Sequence, residues 1–137
     1  MTISKYIVDF LKEIGEIKID TNHVKDGSDQ YGLFKSPNRD KKDLLDGSYE
    51  ITEYYLFLAR LDSVSDTERK ESDEVLEDLT YALDDYKLDY NYPEIDKKRK
   101  IMDISVTGCP YPMEAENNEI LYQMSLSITY VREREEA

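Results

Sequence analysis

The chain has 137 residues, and its 18 Lys and Arg stand against 31 Asp and Glu for a formal net charge of −13. That length fits one domain and not two with separate cores. The charge opposes binding of nucleic acid through phosphate neutralisation and opposes attraction to an anionic membrane.

The opening segment places Ile3, Ile7, Phe10, Leu11 and Ile14 on one face at helical spacing, with Thr2 or Ser4 to cap its start and Gly15 to end it. Its charged residues make it neither a signal peptide nor a membrane span. Glu16-Ile17-Lys18-Ile19-Asp20 then alternates polar and apolar residues and predicts a short half-buried strand. From 24 to 48 the pattern gives way to Gly27, Ser28, Gly32, Pro37, Asn38, Asp46 and Gly47, which predicts one long loop. Tyr31, Leu33, Phe34, Leu44 and Leu45 lie within it. A wholly solvated loop has little use for such residues, so they pack either on their own domain or on a neighbour, and they are candidate assembly-interface residues.

Tyr49 to Leu61 predicts a long strand. Tyr49, Ile51, Tyr55, Phe57, Ala59 and Leu61 share one face and Tyr54, Leu56 and Leu58 the other, so a central strand covered on both sides is expected. Ser65 with Glu68 forms a capping-box pattern, and Val75, Leu76, Leu79, Ala82, Leu83 and Tyr86 make the apolar stripe of a second helix that Pro93 stops. Met102, Ile104 and Val106 predict a strand, Gly108-Cys109-Pro110-Tyr111-Pro112 a loop, and Asn117-Asn118 a turn. Ile120, Tyr122, Met124, Leu126, Ile128 and Tyr130 alternate with small polar residues in the last strand, and residues 132–137 are a charged tail. The sum is a single α+β domain over 1–137: a mixed, mainly antiparallel four-stranded sheet with two helices and one long loop.

The charge is uneven. Asp62 to Asp96 holds thirteen acids and three bases, and the run Lys97-Lys98-Arg99-Lys100 follows. An acidic block beside a basic one is compatible with head-to-tail pairing of identical subunits, which makes these four bases candidate interface residues. A solvated helix face followed by a solvated loop is the plainer explanation.

Little in the chain suggests chemistry. His23 is the sole histidine and has no second ligand of its kind nearby in sequence. Cys109 is the single cysteine, which excludes an internal disulfide and suits a reducing cytoplasm; a catalytic role would need His23 as its base. Asp73, Glu74, Glu77 and Asp78 share helix faces at i,i+4 spacing but lack the alternating ligands and glycine turn of a calcium loop. The five glycines form no phosphate-binding motif. No catalytic residue, metal ligand or cofactor site is therefore expected.

The order of elements is nonetheless a familiar one. An amphipathic helix leads to a short strand, and a long loop ends in Leu45-Asp46-Gly47-Ser48. An aromatic strand, Tyr49 to Arg60, follows, then a capped acidic helix and two strands closing on Tyr122-Gln123-Met124-Ser125-Leu126-Ser127-Ile128-Thr129-Tyr130. This layout resembles the tail terminator (tail completion or minor capsid) proteins of tailed phages and related contractile particles. The resemblance implies a non-enzymatic homo-oligomer, a hexameric ring that caps the tail tube, stops its polymerisation and offers a docking surface to head, neck or sheath. It implies assembly in a host bacterial cytoplasm and residence in a virion or tail-like particle, with the tail tube protein as partner. Six copies would carry six times the charge of −13, and acids lining such a ring would keep passing DNA off its wall. A different reading of the same acidity is a phage-encoded inhibitor or DNA mimic that binds a host nucleic-acid enzyme.

Overall fold

A computed structural model describes residues 1–15, 19–21, 30–62, 66–89, 92–116 and 119–134. His23, the capping residue Ser65, the Asn117-Asn118 turn, residues 16–18 of the first expected strand and 24–29 of the expected loop lie outside them. The elements are α1 (Ile3–Gly15), β1 (Ile19–Thr21), β2 (Gln30–Asp43), β3 (Tyr49–Asp62), α2 (Asp66–Asp89), β4 (Arg99–Glu116) and β5 (Glu119–Arg132). They form one sheet in the order β1-β2-β3-β5-β4 with two helices. The α+β class is as expected, with four long antiparallel strands and a short parallel β1 at one edge.

Two expected loops are strands. Gln30–Asp43 pairs with β3 along most of its length, so the 24–48 segment is not one long loop. Its ladder is broken at one place: Lys35 faces Tyr55 and Arg39 faces Glu53, so Ser36, Pro37 and Asn38 bulge opposite Tyr54 alone. A proline without an N–H is tolerated at such a bulge, and the extra residues shift the two-residue alternation on which a strand is recognised. Gly108 to Pro112 likewise belongs to β4, which runs past them with register shifts at Val106/Gly108, Gly108/Tyr111 and Pro112/Glu114. Edge position makes both prolines affordable there.

α1 begins where the Lys5 N–H donates to Thr2 Oγ1 (3.1 Å) and the Tyr6 N–H to the Thr2 carbonyl (3.1 Å). Its stripe buries Ile3, Tyr6, Ile7, Phe10 and Leu11 against Leu76, Leu79 and Leu83 of α2 and the sheet residues Ile51, Tyr55, Phe57, Ala59, Met124, Leu126 and Ile128. Each large side chain so buried contributes about 1.5–3 kcal/mol. Val75, expected in the α2 stripe, is exposed instead. Thr80 takes a buried place and donates to the Leu76 carbonyl at 2.9 Å.

Among the described residues, β3 is covered on one face only. Its odd-numbered residues from Ile51 to Ala59 are buried, whereas Tyr54, Leu56 and Leu58 stay half-exposed. The second covered face expected from the sequence is not supplied within this chain's described residues. No helix among them is long and apolar enough to cross a membrane.

Candidate assembly surface

The end of the sheet where β2 turns into β3 gathers most of the surface candidates. Between Asp43 and Tyr49 the chain reverses tightly: the Leu44 N–H donates to the Ser48 carbonyl (3.0 Å) and the Gly47 N–H to the Leu44 carbonyl (3.1 Å). Gly47 holds φ at +89°, a left-handed conformation that favours glycine. The Asp46 carboxylate accepts the Ser48 N–H at 3.0 Å and the Ser48 hydroxyl, and these bonds hold its pKa below the ordinary carboxylate value. The outcome is a preformed tip on which Leu45 is fully exposed, at 110% of its reference area, while Leu44 is half-buried.

Below the tip, Tyr49 lies between two cations. Lys41 Nζ is 4.3 Å from its ring centre and Arg132 Cζ 5.4 Å. This joins β2, β3 and β5 at the base of the hairpin.

The basic run stands at the same end because Arg99 pairs with Arg132, which pairs with Tyr49. The segment leading into it is anchored on the core. The Tyr6 hydroxyl donates to the Pro93 carbonyl at 2.7 Å, and the Tyr92 oxygen accepts the Ile104 N–H at 3.1 Å. Phe10, Tyr86 and Tyr92 form a cluster with ring centres 4.8–5.9 Å apart, which fastens this segment to both helices. Burial raises the pKa of the Tyr6 and Tyr92 hydroxyls above the ordinary tyrosine value, the neighbouring tyrosines adding to the effect.

Asp96 then turns the chain. Its Oδ1 accepts the N–H groups of Lys98 (3.0 Å) and Arg99 (2.7 Å), and its Oδ2 accepts Arg99 Nε (2.9 Å) and Nη2 (2.7 Å). The Arg99 bonds hold the Asp96 carboxyl below its ordinary pKa. Arg99 Nη2 also donates to the Met1 carbonyl, so this guanidinium ties the start of α1 to the basic segment. Lys97, Lys98 and Lys100 are exposed. Together with Asp46, Ser48 and Tyr92 they line a cleft of about 620 Å³.

The nine sequence-predicted interface residues thus divide by environment. Leu44, Leu45, Lys97, Lys98, Arg99 and Lys100 come together at one end of the sheet, with Arg99 internally clamped and the three lysines outward. Tyr31 and Leu33 are corrected: they are core residues at 7% and 1% exposure, because β2 brings them onto the helix-covered face where Tyr31 stacks on Phe57 at 5.8 Å. Their packing is on their own domain. Phe34 is half-buried on the opposite face, across from Leu56.

Sequence reasoning missed Asp96, Tyr49 and Arg132 as organisers of this surface. The Asp placed two and three residues ahead of backbone donors was a readable turn signal. The Tyr49–Arg132 contact depends on strand pairing, which no local pattern conveys. For chemistry, the surface offers ammonium groups, a clamped guanidinium and an apolar tip, which suit contact with a protein surface. Among the described residues no three or more His, Cys, Asp or Glu converge as a metal site, and Cys109 is exposed on β4. In comparisons with known proteins, no family model matches the chain and no curated protein is found to be similar to it.

Proposed function

We propose that this chain is a non-enzymatic structural subunit of the tail-terminator kind, assembling as a ring on the end of a tail tube, halting its growth and presenting a docking surface to head, neck or sheath. The observation that supports this reading most is the meeting of the exposed Leu45 tip with Lys97, Lys98 and Lys100 at one end of the sheet. An apolar tip beside exposed cations is a surface suited to a protein partner. Of the layout behind the resemblance, the amphipathic helix, the aromatic strand, the acidic helix and the small-polar last strand are present, whereas the long loop is largely the strand β2.

α2 exposes Glu74, Glu77, Asp78, Asp84 and Asp85, so one subunit carries an acidic helix surface as well as the exposed lysines of the sheet end. That arrangement suits a repeated contact around a ring. The test is negative-stain electron microscopy of the purified chain mixed with tail tubes. Ring-shaped density on one end of each tube, with no further tube growth, is the expected result. Tubes that keep growing with bare ends would refute it.

A further inference from the structure

We infer that the chain pairs head to tail with a second copy of itself, the Leu45 tip of one copy seated in the groove between α2 and β4 of the next. The inference rests on the ring reading above and specifies its subunit contact.

The groove is a cavity of about 420 Å³ lined by Leu76, Tyr81, Cys109, Pro110, Pro112 and Tyr122. Tyr81 of its lining is exposed, so apolar surface is presented at the groove's mouth. Glu77 lines it and Asp78 and Asp84 act on the Tyr81 hydroxyl, and no Lys or Arg occurs on α2 from 74 to 86. A partner for this site needs one apolar projection flanked by cations. The Leu45 tip has that form, with Lys41, Lys42, Lys97, Lys98 and Lys100 exposed around its end of the sheet. Of the acids at this end, Asp46 is engaged by Ser48, Asp96 by Arg99 and Asp43 lies 4.0 Å from Lys41, while Glu94 and Glu133 are exposed beside the lysines.

A chain cannot make this contact with itself. The tip leaves the sheet at Tyr49, whereas the groove lies beside Tyr122, which pairs with Ala59. Ten residues of β3 separate the two levels, about 33 Å at roughly 3.3 Å per residue. Tip and groove are different patches, so the contact is heterologous and generates a ring or an open helix in place of a two-fold dimer.

Cys109 provides a direct test, because it lines the groove. The full-length L45C variant is concentrated, oxidised mildly and run on a non-reducing gel. The expected result is a ladder of covalent multimers whose cross-linked peptides join position 45 to Cys109. The L45C/C109S variant should lose the ladder and stop at dimers. L45D, with an unchanged circular dichroism spectrum, should weaken self-association of the chain about tenfold or more by sedimentation, as loss of one buried leucine contact implies. Raising the salt from 50 to 500 mM should weaken it further, since the α2 charges are exposed. Links joining only 45 to 45 or Cys109 to Cys109, or no covalent multimers, would overturn the proposal. The ring reading would survive that outcome if the wild-type chain still forms rings on tube ends, and would fall with it if tube ends stay bare.

Discussion

Lys35 and Glu53 form an ion pair of unequal burial: Lys35 Nζ lies 2.8 Å from Glu53 Oε1, with the lysine side chain half exposed and the glutamate only 4% exposed. Lys35 sits at the last regular pair before the β2 bulge, and Glu53 at the first pair after it. The second carboxylate oxygen, Oε2, is buried without a hydrogen-bond partner. The bulge thus carries a lysine that answers one oxygen of a buried charge. K35M is expected to leave that charge uncompensated and cost about 1–3 kcal/mol, less than a fully buried pair because the lysine is solvated. Urea denaturation should show a lower midpoint with an unchanged slope. K35M/E53Q should recover part of the loss, as no net charge then remains buried.

Gly47 sets the geometry of the tip. A Cβ built there meets nothing within 4 Å, so a substitution is opposed by the backbone and not by crowding. G47A is expected to cost about 1–2 kcal/mol from the left-handed conformation alone, and G47N less. Thermal unfolding measures the loss, and G47A should also weaken any contact made by Leu45.

The buried tyrosines make the fold sensitive to alkali. Burial pushes the Tyr55 hydroxyl up to about 12, and burial likewise raises Tyr92 and Tyr130. An unfolded tyrosine ionises near 10, so its neutral form is the one the folded state favours. The stability contributed is complete below about pH 10 and falls as the pH rises through about 12. Circular dichroism followed from pH 9 to 12 should show stability declining from pH 10 upward. Y55F removes one contributor and should flatten that decline, while losing only a long 3.4 Å bond from Ser4.

Tyr6 links the core to the basic segment through its 2.7 Å bond to the Pro93 carbonyl. Y6F is expected to cost about 1 kcal/mol. Amide hydrogen exchange should rise between Glu94 and Lys98 in this variant while β3 and β5 remain protected. Equal exchange across the whole chain would mean that Tyr6 supports the fold without specially holding that segment.

How much of this was legible depended on whether a residue's role was periodic. α1, β3 and β5 announced themselves because Ile3, Ile7, Phe10 and Leu11 recur at helical spacing, and Met124, Leu126 and Ile128 at strand spacing. β2 was hidden because Gly32, Pro37 and Asn38 are loop residues by composition and because the bulge displaces the alternation midway. Tyr31 and Leu33 did carry the i,i+2 signal of a buried strand face, over too short a run to outweigh those breakers. The far half of β4 was hidden by Pro110 and Pro112, which only an irregular edge accommodates. The basic run was visible as charge, but its division into a clamped Arg99 and outward lysines follows from Asp96 and from the place of Met1, a contact across nearly a hundred residues. The one-sided covering of β3 was unreadable as well, since Leu56 and Leu58 are apolar whether a neighbour covers them or water does.

In the function proposed here, this protein ends tube growth. Electron microscopy of particles from a producing strain lacking the gene, with tail length scored, tests it most directly. Overlong, irregular tubes without a cap are predicted, restored to uniform length when the wild-type chain is supplied. Tails of normal and uniform length in its absence would contradict the account.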